Sequence, residues 1–166
     1  NAGFPSWSPD GSQIVYRYWT PEGAQGLRIV TIETGAVRID RLRVLCRDAN
    51  DVRANLRLHA RIDADQQCSA LVRTSIDGVV ASEQLKPLAA GLNEVNWDLD
   101  VNDPALWWPW SMGTQDLTDV TVEVFVEGTE EASDTAVRRT GLRQVSFDRW
   151  QLTVNGERMF VKGANH

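Results

Sequence analysis

Apolar residues in this chain recur at every second position, and that period limits its fold more than any other feature. Leu42, Val44 and Cys46, then Leu56, Leu58 and Ala60, then Val120, Val122, Val124 and Val126 each place an apolar row on one side of an extended segment. Arg41, Arg43, Arg57, Arg61, Thr121 and Glu123 stand on the opposite side. Successive side chains of a strand point to opposite faces, whereas an amphipathic helix needs a period of 3.6. One buried and one solvated face is the mark of an antiparallel sheet.

Runs of this kind are predicted at 13–19, 27–33, 38–47, 54–62, 69–76, 93–99, 119–126, 135–140, 144–148, 151–154 and 159–162, separated by Gly, Pro, Asn and Asp. The chain therefore reads as all-β, with two antiparallel sheets packed face to face as a sandwich. Asp77-Gly78 and Asn155-Gly156 each sit between two such runs. Both central residues of a type I′ turn need positive φ, so these pairs predict two tight hairpins.

Composition removes several function classes. A net charge of -6 with interspersed basic residues argues against nucleic acid, whose binding needs clustered Lys and Arg. No run approaches the roughly 20 apolar residues of a membrane span. Only Lys86 and Lys162 are lysines, so 15 of the 17 basic residues are arginines. Cys46 and Cys68 with His59 and His166 show no ligand spacing, so no metal site and no cofactor is expected. The two cysteines lie in different strands; free thiols are the expectation, with a disulfide the alternative. His59, between Leu58 and Ala60, is expected on the solvated face. Both ends read as interior to a longer polypeptide. The chain opens on Asn1, and the strand-like Arg158–Lys162 runs straight into Gly163-Ala164-Asn165-His166.

Residues 1–36 differ in texture. Phe4-Pro5-Ser6-Trp7-Ser8-Pro9-Asp10-Gly11-Ser12-Gln13-Ile14-Val15-Tyr16, followed by Leu27-Arg28-Ile29-Val30-Thr31-Ile32 and Gly35, resembles a single TolB-like propeller repeat. A lone blade cannot bury both faces, so an edge hairpin added to the following sandwich is the plainer alternative.

Residues 37–166 carry a second resemblance. Asn102-Asp103-Pro104-Ala105-Leu106-Trp107-Trp108-Pro109, then Gly113, Leu117 and Val120-Thr121-Val122-Glu123-Val124, precede an ordered trio. The trio is Gly141-Leu142-Arg143, Val154-Asn155-Gly156 and Phe160-Val161-Lys162-Gly163-Ala164-Asn165. Together with Arg38–Val44, these segments resemble the immunoglobulin-like β-sandwich of family 2 glycoside hydrolases, the β-mannosidase and β-galactosidase type. The resemblance implies a retaining enzyme whose two catalytic glutamates lie on a barrel beginning just after Asn165. Retaining glycosidases hold two carboxylates about 5–5.5 Å apart. Asn93-Glu94 lies inside the sandwich instead, and Asp98-Leu99-Asp100 and Glu130-Glu131 read as solvated clusters. No catalytic residue is therefore assigned to this chain.

The expected function is a non-catalytic structural domain of such a hydrolase, partnered by the catalytic barrel of the parent. Two alternatives stand beside it: a carbohydrate-binding module and a piece of a propeller interaction protein. Trp107, Trp108, Trp110 and Asn165 are the candidate sugar-binding residues, since flat aromatic faces suit pyranoside C–H surfaces; packing is the alternative for each tryptophan. Structural roles are expected for Pro109, which lacks an N–H and ends pairing, and for Gly141, expected to take a backbone geometry denied to other residues. Arg143 is expected to hold a carboxylate or backbone carbonyls, and Asn155, Gly156 and Gly163 complete the set.

Overall fold

The computed structural model describes residues 6–7, 13–19, 25–31, 37–161 and 163. The chain divides into two compact units, Asn1–Ala36 and Val37–His166. In the first, β1 (Ser6–Trp7), β2 (Gln13–Trp19) and β3 (Gln25–Thr31) form an antiparallel sheet in the order β1-β2-β3. The Pro9-Asp10-Gly11 turn lies outside the described residues.

The second unit is the sandwich. One sheet has the order β4-β5-β8, from β4 (Val37–Ala49), β5 (Arg53–Ala64) and β8 (Gly91–Asn102). The other has the order β10-β9-β6-β7, from β6 (Cys68–Ile76), β7 (Val79–Leu88), β9 (Thr118–Val126) and β10 (Asp134–Thr140). All pairings are antiparallel.

Period two sets the core. Leu56, Leu58, Ala60 and Ile62 of β5 and Val95, Trp97 and Leu99 of β8 are buried, as are Ala70 and Val72 of β6 and Val120, Val122 and Val124 of β9. Fully burying each such aliphatic side chain contributes about 1.5–3 kcal/mol. One polar contact crosses this core: Trp97 Nε1 donates to Thr74 Oγ1 at 3.1 Å. A buried indole N–H left without an acceptor would be costly, so the pair also defines how the sheets align.

Strand β4 shows how local irregularity rescues a pattern that looks broken. Its inward residues are Val37 and Ile39, then Leu42, Val44 and Cys46, then Ala49, so parity changes twice. Register shifts between Ile39 and Arg41 and between Cys46 and Asp48 account for both changes. Each bulge adds one residue and returns the apolar side chains to the core.

Strand β7 was not expected beyond Val79-Val80. It is an edge strand with Val79, Val80 and Leu85 exposed and Pro87 near its end. Lacking an inner face of contrasting polarity, it has no readable alternation, and Pro is tolerated at an edge.

Both expected hairpins form. Asp77 and Gly78 have φ of 47° and 82°, and Asn155 and Gly156 have 51° and 82°. A third tight turn appears at Arg149 and Trp150, with φ of 44° and 68°. It joins β11 (Val145–Asp148) to β12 (Gln151–Val154), and β13 (Glu157–Met159) completes a small three-stranded sheet. The strand expected at 159–162 ends at Met159 instead; Phe160 and Val161 follow outside any ladder.

Candidate functional site

Motifs that lie far apart in sequence meet around one indole. The backbone N–H of Trp107 donates to Leu142 O at 2.8 Å, tying the Trp-Trp-Pro segment to the Gly-Leu-Arg segment. The Arg143 guanidinium carbon stands 4.7 Å from the centre of the Trp107 ring, a cation–π distance, while Arg143 Nη1 donates to Gly141 O at 2.9 Å. Asn155 closes the arrangement: its Nδ2 donates to Trp107 O at 3.0 Å, and its Oδ1 accepts the Gln144 N–H at 2.9 Å. The left-handed φ that makes Asn155 a turn residue also aims its amide at Trp107.

Gly141 corrects one expectation. Its φ is not in the left-handed region; the requirement is space. A Cβ there would stand 2.5 Å from Trp107 Cγ, so only glycine admits the indole. Gly113 plays the same part for Trp108, where a Cβ would lie 2.9 Å from Cγ. The adjacent tryptophans thus dock against two different glycines, as side chains pointing to opposite sides of an extended segment do.

Trp108 N–H pairs with Thr114 O at 2.8 Å, and the buried Pro109 opens a turn closed by Met112 N–H to Pro109 O at 2.7 Å. Gln115, unremarked in the sequence, holds this turn by donating through Nε2 to Gly113 O at 2.6 Å and Trp108 O at 3.2 Å.

Of the candidate sugar-stacking residues, Trp107 and Trp108 are half-buried in these contacts, whereas Trp110 is 86% exposed. Asn165 lies outside the described residues. Gly156 occupies the turn position expected of it, and Gly163 is exposed, with nothing among the described residues within 4 Å of a Cβ built on it. His59 is half-exposed with Nδ1 3.3 Å from Glu94 Oε2.

The acidic clusters are engaged or solvated. Asp98 accepts both Arg57 Nε and Nη2 at 2.8 Å, and that guanidinium holds its carboxyl below the usual aspartate range. Asp100 accepts from Asn55 at 2.8 Å and lies 3.6 Å from Arg53, while Glu130 and Glu131 sit exposed between β9 and β10. Cys46 and Cys68 are both free thiols, and burial pushes the Cys46 thiol up.

The sequence did not point to the apolar surface of the β11–β13 sheet. Phe147, Trp150 and Phe160 are exposed, Trp150 by 92% and Phe160 by 82%, and they border a hollow of about 600 Å³ with Leu152, Met159 and Val161. Phe147 meets Trp150 edge to face, ring centres 6.3 Å apart. A bulky residue at φ 68° costs roughly 1–2 kcal/mol, so the turn holds Trp150 outward against a backbone penalty. The two-residue gap between the runs at 144–148 and 151–154 was the available signal.

The family model for Glycosyl hydrolases family 2 matches residues 37–143, well over half of the chain. An exo-beta-D-glucosaminidase of Arthroderma benhamiae is 25% identical over 99% of this chain and 19% of its own length. Beta-mannosidase A of Emericella nidulans is 34% identical over 37% of this chain and 8% of its own length. The structure of an Amycolatopsis orientalis exo-chitosanase, 24% identical, superposes with a TM-score of 0.66 over 97% of this chain and 19% of that one, which supports the fold. The chain thus spans at most about a fifth of these relatives. The family match begins at residue 37 and lends nothing to the propeller resemblance, whereas the glucosaminidase alignment runs through residues 1–36. By its ordered motifs, its sandwich and this match, the chain belongs to glycosyl hydrolases family 2 and corresponds to an all-β part of its longer members.

Proposed function

We propose that this chain positions the catalytic domain of a β-glycosidase, with the Phe147–Trp150–Phe160 face as the surface that meets that domain. One observation carries the reading: three exposed aromatics border one hollow beside the small sheet, with Trp150 held outward by a positive-φ turn. Exposed apolar clusters of this kind mark interaction sites. The Trp107–Arg143–Asn155 knot serves the same role from within, because it rigidly links the sandwich to the strand that leads into that sheet.

For the parent activity we propose hydrolysis of a β-linked glycoside of the mannoside type. A glucosaminide is the second reading, favoured by relatives aligned over 99% of the chain. For residues 1–36, the Trp7–Gly11 motif and the β2–β3 pair favour a propeller-type repeat, while the same alignments favour an integral piece of the glycosidase. A carbohydrate-binding role rests on the exposure of Trp110.

The test uses aryl β-mannoside and aryl β-glucosaminide substrates with this chain and with its full-length parent. This chain is expected to be inactive, and Trp150→Ser with Phe160→Ser to lower the melting temperature of the parent but not of this chain. Turnover by this chain that a point mutation abolishes, or no effect on the parent, overturns the reading.

A further inference from the structure

Most arginines of the sandwich fall into two groups; Arg41, exposed on β4 and lining neither hollow described below, stands apart from both. Arg38, Arg53, Arg57, Arg61, Arg73 and Arg139 each have a carboxylate partner. Arg43, Arg47, Arg138 and Arg143 have none among the described residues, and all four line one open cleft. Edge strands β4 and β10 form its walls, with residues 140–145 continuing the second wall. One part, about 500 Å³, is bordered by Arg43, Leu45, Arg138 and Thr140; the next, about 370 Å³, by Arg47, Thr140, Arg143 and Gln144. They share Val44, Leu45 and Thr140, so the two hollows are continuous. Neither lining contains an Asp or Glu. Asp98, the acidic group that feels Arg47, is already engaged by Arg57.

Four unneutralised guanidiniums in one cleft of a chain with net charge -6 create a local positive field that surrounding charge does not explain. An added β-strand is a poor occupant. The edge amide of Ile39 already donates to Asp134 Oδ2 at 2.7 Å, and the edge carbonyl of Leu42 already accepts Arg138 Nε at 3.1 Å. What stays open is side-chain chemistry: planar guanidinium forks suited to carboxylates, a Thr hydroxyl and a Gln amide suited to sugar hydroxyls. Both volumes fall in the range of about 300–1,000 Å³ typical of small-molecule sites.

We propose that this cleft binds a carboxylated sugar, an oligosaccharide of hexuronate type, through Arg43, Arg47, Arg138 and Arg143. Choosing a sugar acid over other carboxylates rests on membership of a glycosidase family. The aromatic docking face shares no residue with the cleft, and because Arg143 belongs to the tryptophan knot as well, the test variants are placed at Arg43 and Arg47, so either proposal can fail alone.

Calorimetric titration of this chain with trigalacturonate, neutral galactotriose and hexaglutamate tests the proposal. Trigalacturonate is expected to bind saturably, to weaken as salt rises, and to exceed both other ligands. Arg43→Gln combined with Arg47→Gln should weaken it about tenfold or more, the loss expected for charge-assisted hydrogen bonds. Both residues are exposed and have no carboxylate partner among the described residues, so thermal unfolding should not change; each single variant should give a smaller loss. Arg57→Gln, on the paired group, should leave binding intact. No heat with trigalacturonate, equal binding of galactotriose, tighter binding of hexaglutamate, or indifference to the double variant overturns the assignment.

Discussion

Replacing Gly141 by Ala tests the tryptophan knot directly. The added Cβ would sit 2.5, 2.6 and 2.7 Å from Trp107 Cγ, Cβ and Cδ1, inside any allowed carbon contact. Trp107 cannot retreat cheaply, since its N–H is bound by Leu142 O and its carbonyl by Asn155 Nδ2. Overpacking of this kind costs about 1–3 kcal/mol. Displacing the indole also forfeits the Arg143 contact, about 0.5–1 kcal/mol, and weakens one hydrogen bond worth about 1 kcal/mol. The expected loss is therefore about 3 kcal/mol, a fall in melting temperature of roughly 6–12 °C for a chain of this size.

Urea unfolding followed by far-ultraviolet circular dichroism measures it, with Gly78→Ala as control. Nothing lies within 4 Å of a Cβ at Gly78, so only its positive φ is penalised, by about 1–2 kcal/mol. In a Trp107→Gly background, which removes Cβ, Cγ and Cδ1 together, the Gly141→Ala cost should largely vanish, leaving a coupling of about 2 kcal/mol. A Gly141→Ala loss smaller than that of Gly78→Ala, or one unchanged without the indole, refutes the reasoning.

Asn155→Ala should cost about 3 kcal/mol, since it removes the bonds to Trp107 O and Gln144 N and places Ala at positive φ. Asn155→Gly, which loses the same bonds but relieves the φ penalty, should cost less by equilibrium unfolding; equal losses would count against the φ penalty, and no loss in the glycine variant would count against the bonds. Trp97→Phe leaves the buried Thr74 hydroxyl without its donor and should cost about 1–3 kcal/mol beyond lost packing. Adding Thr74→Val should recover part of that loss, and a further drop would contradict the account. Asp98 should titrate below the usual aspartate range by carboxyl carbon NMR, because Arg57 stabilises its charged form. A lowered folded pKa contributes stability above the unfolded value of about 3.9 and loses it as pH falls through the folded pKa. Asp98→Asn should accordingly shrink the acid dependence of stability, and an unshifted midpoint would contradict the pairing.

Strand positions were legible wherever one face is dry. β5 carries a period of two along its length and β9 does so as far as Val124, because their inner faces meet the opposing sheet; Phe125 is buried out of that period. Turn chemistry at Asp77-Gly78 and Asn155-Gly156 was legible because positive φ restricts residue choice strongly. Where those constraints lapse, the reading failed: β7 is an edge strand with no fully dry face, and Arg149-Trp150 forms a tight turn without Gly or Asn. The parity changes in β4 needed the register with β5 to be understood as bulges.

The amino-acid sequence alone determined the all-β class, the sandwich, most strands and the family resemblance, because alternation and turn residues are local properties. Tertiary structure decided what the motifs do. Gly141, Arg143 and Asn155 lie 34 to 48 positions from Trp107, and only the packed chain shows that all of them serve one indole. Likewise, which arginines are neutralised depends on cross-strand neighbours. Arg57 faces Asp98 across a ladder, whereas Arg43, Arg47 and Arg138 line a cleft between two unpaired edges, a distinction no one-dimensional pattern carries.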